Sequence, residues 1–247
     1  MKRGMGKRPA PVAGTAALDP VRFRPSGDRV LIAVYGEAVD PAVNERVRRM
    51  VARIEALRHP AIEAVVPSYC TLAVHYDPDL LAPAALADLL RDLAAHADNT
   101  DIPPAATVEI PVCYGGACGP DLDAVAAHNR LAPDEVIRLH SGGIYRIYAI
   151  GFAPGFCYLG GLDPRIHTPR LTSPRLRVPA GSVGIAGGQT GIYPLASPGG
   201  WQLIGRTPLL LFDPEREPPV PYRPGDSIRF RPISAATFAR LAGETNR

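Results

Sequence analysis

Three glycine-rich segments hold most of the residues able to do chemistry: 151–156 (GFAPGF), 181–191 (GSVGIAGGQTG) and 197–206 (SPGGWQLIGR). Lacking a Cβ, glycine lets backbone N–H groups come close to a ligand oxygen and form a concave anion or oxyanion site. Gln189, Thr190, Tyr193 and Trp201 are interleaved with these glycines, which strengthens a binding reading over one of tight turns alone. Neither a P-loop pattern nor G-x-G-x-x-G occurs, so any phosphate site here is of another kind. Charge sharpens the picture. Between Ser141 and Phe212 the basic residues are Arg146, Arg165, Arg170, Arg175, Arg177 and Arg206, against the single acid Asp163. Arginine forks grip carboxylate or phosphate bidentately, so a small anionic molecule is the expected ligand of an arginine-lined hollow between residues 140 and 206. The competing expectation is a solvated basic face or a docking surface for an acidic protein.

Other reactive side chains are less pointed. His140 ends a predicted helix just before Ser141-Gly142-Gly143, where the helix C-terminus favours protonated imidazole, and it is the expected proton-transfer group. His167 follows the Asp163-Pro164 turn and is a second acid–base candidate, whereas His75, His96 and His128 read as structural. No histidine pair has metal-ligand spacing and Cys113-x4-Cys118 lacks a second half, so no metal site is expected. Cys157 reads as a small buried thiol rather than a nucleophile.

Whole chemistries are excluded by composition. The only lysines among 27 basic residues are Lys2 and Lys7, so the body can form no Schiff base and supply no P-loop lysine. Residues 1–8 carry four positive charges, leaving the rest of the 247-residue chain at a net −1 and without the electrostatic footprint of a nucleic-acid binder. No apolar run approaches the ~18 residues of a membrane span. Four cysteines and no apolar h-region fit a reducing, cytoplasmic setting.

The elements that must position these residues fall into two groups. Glycine and proline make up about 28% of residues 110–232 (35 of 123) but only 17 of the remaining 124, a step that marks a boundary at Pro103-Pro104. The expected division is a disordered leader (1–17), an N-terminal α/β domain (18–104), a β-barrel domain (105–240) and a tail (241–247). In the N-terminal group the spacing predicts strands at Arg29–Tyr35, Ala61–Val66, Thr71–Tyr76 and Thr107–Val112. Helices are expected after Asp40-Pro41 and from Pro83, with an extra strand near Val21–Arg24. That order, β-α-β-β-α-β, is ferredoxin-like. In the C-terminal group a pair of short helices (Asp121–Asn129, Asp134–His140) precedes strands at Tyr145–Phe152, Val178–Ile185, Gly191–Pro194, Gln202–Arg206, Leu209–Phe212 and Ser227–Phe230. Strands so spaced predict a barrel or sandwich, and the fold class is α+β.

The strings GFAPGF (151–156), YLGGLDPR (158–165), VPAGSVGIAGGQTGIYP (178–194) and SPGGWQLIGRTP (197–208) resemble the carboxyltransferase subdomain family. That family spans the 5-oxoprolinase B subunits, the allophanate hydrolase subunit 1 label and Kip-type kinase inhibitors. The likeness extends to 27–47 and 109–129. It implies a C-terminal cyclophilin-like barrel and ATP-dependent opening of 5-oxo-L-proline to L-glutamate, in a complex with 5-oxoprolinase subunits A and C. ATP, with Mg, is implied as a co-substrate rather than a bound cofactor. On that basis Gly187, Gly188, Gln189 and Thr190 are expected to donate to a carbonyl or phosphoryl oxygen. Arg177 and Arg206 are expected to hold an anionic group, and Phe156, Tyr193 and Trp201 to wall the pocket. The non-enzymatic alternative is a Kip-type module that docks on a histidine kinase.

Overall fold

The computed structural model describes residues 21–95 and 101–245; the expected leader, both lysines and His96 lie outside the described residues. Among the described residues, strands β1 (Arg22–Pro25) and β2 (Val30–Val34) come first, followed by helix α1 (Pro41–Leu57), β3 (Ile62–Pro67), β4 (Thr71–Tyr76) and α2 (Pro83–Ala95). The four strands form an antiparallel sheet in the order β1-β2-β4-β3. Alternate residues Leu31 and Ala33 of β2 and Leu72, Val74 and Tyr76 of β4 share one buried face, which packs on Val43, Val47, Met50 and Ile54 of α1 and Leu86 and Leu90 of α2.

Helix α1 begins where Asp40 Oδ1 accepts from the backbone N–H groups of Ala42 (2.7 Å) and Val43 (3.1 Å), with Pro41 at the first helical position. Removing that acceptor orphans two helix-end donors. Asp40→Ala should therefore cost about 1 kcal/mol of stability in urea denaturation, with Asp40→Asn close to wild type.

From Thr107 the chain supplies β5 (Thr107–Tyr114), α3 (Leu122–Asn129), α4 (Pro133–Gly142), β6 (Tyr145–Ile150) and β7 (Cys157–Gly160). It continues through β8 (Arg175–Val178), β9 (Ser182–Ala186), β10 (Gln189–Ile192), β11 (Ser197–Gly199), β12 (Gln202–Arg206), β13 (Ser227–Pro232) and α5 (Ala235–Thr245). Seven of these strands close a barrel in the order β10-β7-β6-β13-β5-β12-β9, while β8 and β11 pair as a small separate sheet. The class is α+β. Ile110, Val112, Ile147, Leu159, Val183, Ile185, Ile204, Ile228 and Phe230 fill the barrel, with Val125 of α3 and Val136 of α4 packed against them.

The structure departs from four expectations. The strand at Thr107–Tyr114 does not complete the first sheet: it pairs in parallel with β13 over six residues and with β12, so it belongs to the barrel. The edge of β2 that it was expected to occupy is covered instead by β1. The predicted strand at Val178–Ile185 is two strands, β8 and β9, separated by Gly181 at φ +81, and Leu209–Phe212 forms no strand. The expected tail from 241 is helical through Thr245, because Ser234 Oγ accepts from the Thr237 N–H and starts α5.

The two halves meet at Asn44, which is fully buried on α1. Its Nδ2 lies within hydrogen-bond distance of the carbonyls of Ser68 (3.1 Å), Tyr69 (3.2 Å) and, on β6, Tyr148 (3.3 Å).

Candidate functional site

An aromatic cluster stands outside the barrel core. Phe156, beside β7, meets Tyr158, Tyr193 and Trp201 edge to face at centroid distances of 4.9, 5.3 and 5.5 Å, geometry favoured by aromatic quadrupoles. Gly191 makes this possible. A Cβ there would lie 3.0–3.1 Å from the Trp201 and Phe156 rings and the Cys157 carbonyl, so a side chain on β10 would push the cluster outward.

The cluster forms one wall of a cleft of about 310 Å³, closed on the other side by Arg170, Leu171 and Pro174 before β8 and by Pro198-Gly199-Gly200 at β11. Phe152 projects over the cleft from the GFAPGF turn, 67% exposed. Its φ is +70, a region bulky side chains avoid, and such strain gathers at ligand sites. The Arg170 guanidinium sits 6.0 Å above the Trp201 ring and has no acidic partner among the described residues. Its neighbour Arg175 is already committed, 2.6 Å from Asp121. The cleft thus presents aromatic faces and one uncompensated positive charge.

Of the residues expected to form the site, Phe156, Tyr193 and Trp201 are brought together here. The others are not. Gly187 and Gly188 form the two-residue turn joining β9 to β10, with Gly187 at φ +58 and its N–H already donated to the Thr168 carbonyl at 2.7 Å. Gln189 donates from Nε2 to the Tyr69 hydroxyl; Tyr69 stacks on Tyr148 and meets Tyr158 edge-on, so Gln189 reaches the cleft wall only through this second set of rings. Thr190 and His140 lie inside the barrel, both fully buried.

His140 stands in a closed hydrogen-bonded chain. Tyr114 Oη lies 2.8 Å from Nδ1, Nε2 lies 2.9 Å from Thr190 Oγ1, and Thr190 donates onward to the Gly184 carbonyl at 3.0 Å. One direction of donation satisfies the whole chain with a neutral imidazole, whose ring also stacks on Phe230 at 4.5 Å. Desolvation lowers its pKa to about 3. A ring so enclosed has no access to a substrate proton.

The arginines are likewise not pooled. Arg177 points out from β8 into solvent. Arg206 donates from Nε to the Ala180 carbonyl at 2.8 Å and lies over Phe238 of α5. Arg165 is paired with Asp163 at 2.7 Å. The single arginine-lined hollow between 140 and 206 is replaced by an aromatic cleft that only Arg170 charges. Sequence reasoning alone misses Phe152, Tyr158 and Arg170 as site residues, although Phe152 stands in GFAPGF and Arg170 in the count of six arginines.

The carboxyltransferase domain family, subdomain C and D, matches residues 21–222. The chain is 43% identical to the 5-oxoprolinase B subunit of Bacillus subtilis (strain 168), over 89% of this chain and 96% of that one. It is 45% identical to the 5-oxoprolinase B subunit of Escherichia coli O157:H7, over 83% and 93% of the two. Among solved structures, the protein TTHA0988 superposes with a TM-score of 0.74 at 39% identity, covering 84% of this chain and only 40% of that longer one. With matches of this extent to whole B subunits, the chain belongs to the carboxyltransferase-domain family and, within it, to the 5-oxoprolinase B subunits.

Proposed function

We propose that this chain supplies the lactam-binding cleft of a cytoplasmic, ATP-dependent 5-oxoprolinase, acting as its B subunit in a complex with subunits A and C. The observation that carries the reading is the unpaired Arg170 guanidinium over Trp201 at the mouth of the aromatic cleft. 5-Oxo-L-proline is a flat five-membered lactam bearing one carboxylate. Its ring suits the faces of Phe156, Tyr158 and Trp201, and its carboxylate suits an arginine fork.

Opening the ring breaks the amide C–N bond as water adds to the carbonyl carbon, and the nitrogen departs as the amino group of glutamate. A lactam resists direct hydrolysis; transfer of a phosphoryl group from ATP to the carbonyl oxygen activates the carbon for a first water, C–N cleavage then leaves an acyl phosphate, and a second water releases phosphate from it. The balance is lactam, ATP and two waters to glutamate, ADP and phosphate. ATP with Mg enters as co-substrate of the complex, with no residue of the cleft assigned to it, since Arg177 and Arg206 share no concavity.

The cleft mouth also favours a complex. Phe152 lines it at 67% exposure, and Leu176 on β8, two positions beyond the lining Pro174, is 93% exposed, apolar surface suited to a second subunit that completes the enclosure. The test is co-purification with candidate A and C subunits, then assay of glutamate formed from 5-oxoproline. Turnover is expected only with all three chains and ATP. A complete complex without turnover overturns the reading and leaves the kinase-docking alternative.

A further inference from the structure

A second cleft, of about 350 Å³, lies on the opposite element set: α1 on one side, the turn before β13 on the other. Its walls are apolar, with Val51, Ala52, Val65 and Pro224 among them, and Arg48 and Arg223 are its basic residues. It shares no lining residue with the aromatic cleft.

The guanidinium of Arg48 reaches the α-carbon of Gly225, where a Cβ would come within 2.0 Å of it. Gly225 has φ +94, so the turn keeps that seat open only as glycine. Arg48 makes no hydrogen bond or ion pair with any described residue, and Arg146 of β6 is close enough to repel it. Burial and this like-charge neighbour both disfavour the charge on Arg48. Arg146 has its own deficit: Nε is buried without a hydrogen-bond partner. Arg223 adds a third positive charge nearby, with Nε 3.8 Å from Asp226 Oδ1.

The local acids Asp226 and Glu45 offset this only in part, since each is engaged elsewhere. Asp226 is buried and accepts from the backbone N–H groups of Ala106 (2.9 Å) and Arg223 (3.0 Å). Glu45 is held by Arg49 at 2.7 Å, and Glu55 is an exposed residue of the cleft rim. Half-buried guanidinium groups that make few hydrogen bonds and repel one another favour an added anion.

We infer that the cleft between α1 and the 223–226 turn is a binding site for a small oxyanion, carboxylate or phosphate, carried on an apolar body. Arg48 would hold the anionic group from the α1 side and Arg223 from the turn, with Arg146 adding positive charge behind Arg48, while Val51, Val65 and Pro224 take the apolar part. The inference does not rest on the lactam reading, since the two clefts share no lining residue.

Isothermal titration of the full chain with inorganic phosphate, with ATP and with 4-methylpentanoate, at matched ionic strength in chloride, tests it. At least one probe is expected to bind saturably. Its affinity should fall tenfold or more in Arg48→Ala and in Arg223→Ala, and stay unchanged in Arg138→Ala on the exposed face of α4. Preference for phosphate and ATP identifies a phosphate ligand; preference for 4-methylpentanoate identifies an apolar carboxylate. Without probe, Arg48→Ala should melt no lower than wild type, because it removes one of two repelling charges. Absence of saturable binding by all three probes, or binding undiminished in both cleft variants, overturns the inference.

Discussion

In the assembled enzyme, Arg170→Ala should raise KM for 5-oxoproline by roughly ten- to a hundredfold while leaving kcat within a few-fold of wild type. The magnitude follows from the bond lost. A charge-assisted hydrogen bond to a carboxylate contributes about 1.5–3 kcal/mol, and each 1.4 kcal/mol is tenfold in affinity. The partition follows from position. Arg170 has no route to the lactam carbonyl when the substrate carboxylate occupies it, so its contribution is equal in ground and transition states and is expressed in KM. Arg170→Lys keeps the charge but loses the planar fork and its stacking on Trp201, and should recover only a fraction of the affinity. Steady-state kinetics on the reconstituted complex decide the matter. An unchanged KM in Arg170→Ala would remove the carboxylate anchor, whereas a selective fall in kcat would move Arg170 to the reacting carbonyl.

How far the sequence informs each element depends on the range of the interactions involved. Asp40-Pro41 announces α1, and the apolar stripe from Val43 to Ile54 packs as its spacing requires, since caps and periodicity act within one turn. Thr107–Tyr114 is legible as a strand but not as a barrel strand. An alternating run such as TVEIPV fits either sheet, and only pairing with β13, some 120 residues later, decides between them. β7 and β11 escape notice because four residues ending in glycine, or three containing proline, carry too little periodicity. The start of α5 is marked by Ser234 three residues before Thr237, a capping signal that is readable in the sequence.

The cleft divides the same way. Glycine and aromatic residue types point to Phe156, Tyr193 and Trp201, yet nothing local distinguishes Arg170 from Arg175. What separates them is that Asp121, 54 positions before Arg175, neutralises one and not the other. Counting charges along a segment measures neither pairing nor shared concavity, so six arginines suggest an anion hollow where one free guanidinium stands. The arginine cluster around Arg48 and Arg146 is invisible for the converse reason: its members come from α1, β6 and the 223–226 turn, in a body whose net charge is near zero.

For His140, the structure opposes the helix C-terminus with burial, and the magnitudes decide. A helix C-terminus stabilises a protonated imidazole by about 0.3–2 kcal/mol. A pKa of about 3, against an ordinary 6.5, corresponds to roughly 5 kcal/mol in favour of the neutral ring. The ring is therefore neutral in the folded chain down to strongly acidic pH, while in the unfolded chain it takes up a proton near 6.5. Stability from this group is complete above pH 6.5 and is lost progressively as pH falls toward 3, by about 1.4 kcal/mol per pH unit. Between pH 6 and 4 the wild-type chain should lose about 2.5 kcal/mol more than His140→Gln, measured by urea denaturation across the pH series. The amide of that variant can still donate to Thr190 and accept from Tyr114. His140→Ala, which leaves Tyr114 Oη and Thr190 Oγ1 short of partners around a cavity beside Phe230, should cost about 3–5 kcal/mol at pH 7. In NMR spectra the His140 Cε1–H signal should stay fixed from pH 8 to 5. A midpoint near 6.5 would show that the ring meets solvent, and would restore it as a candidate for proton transfer.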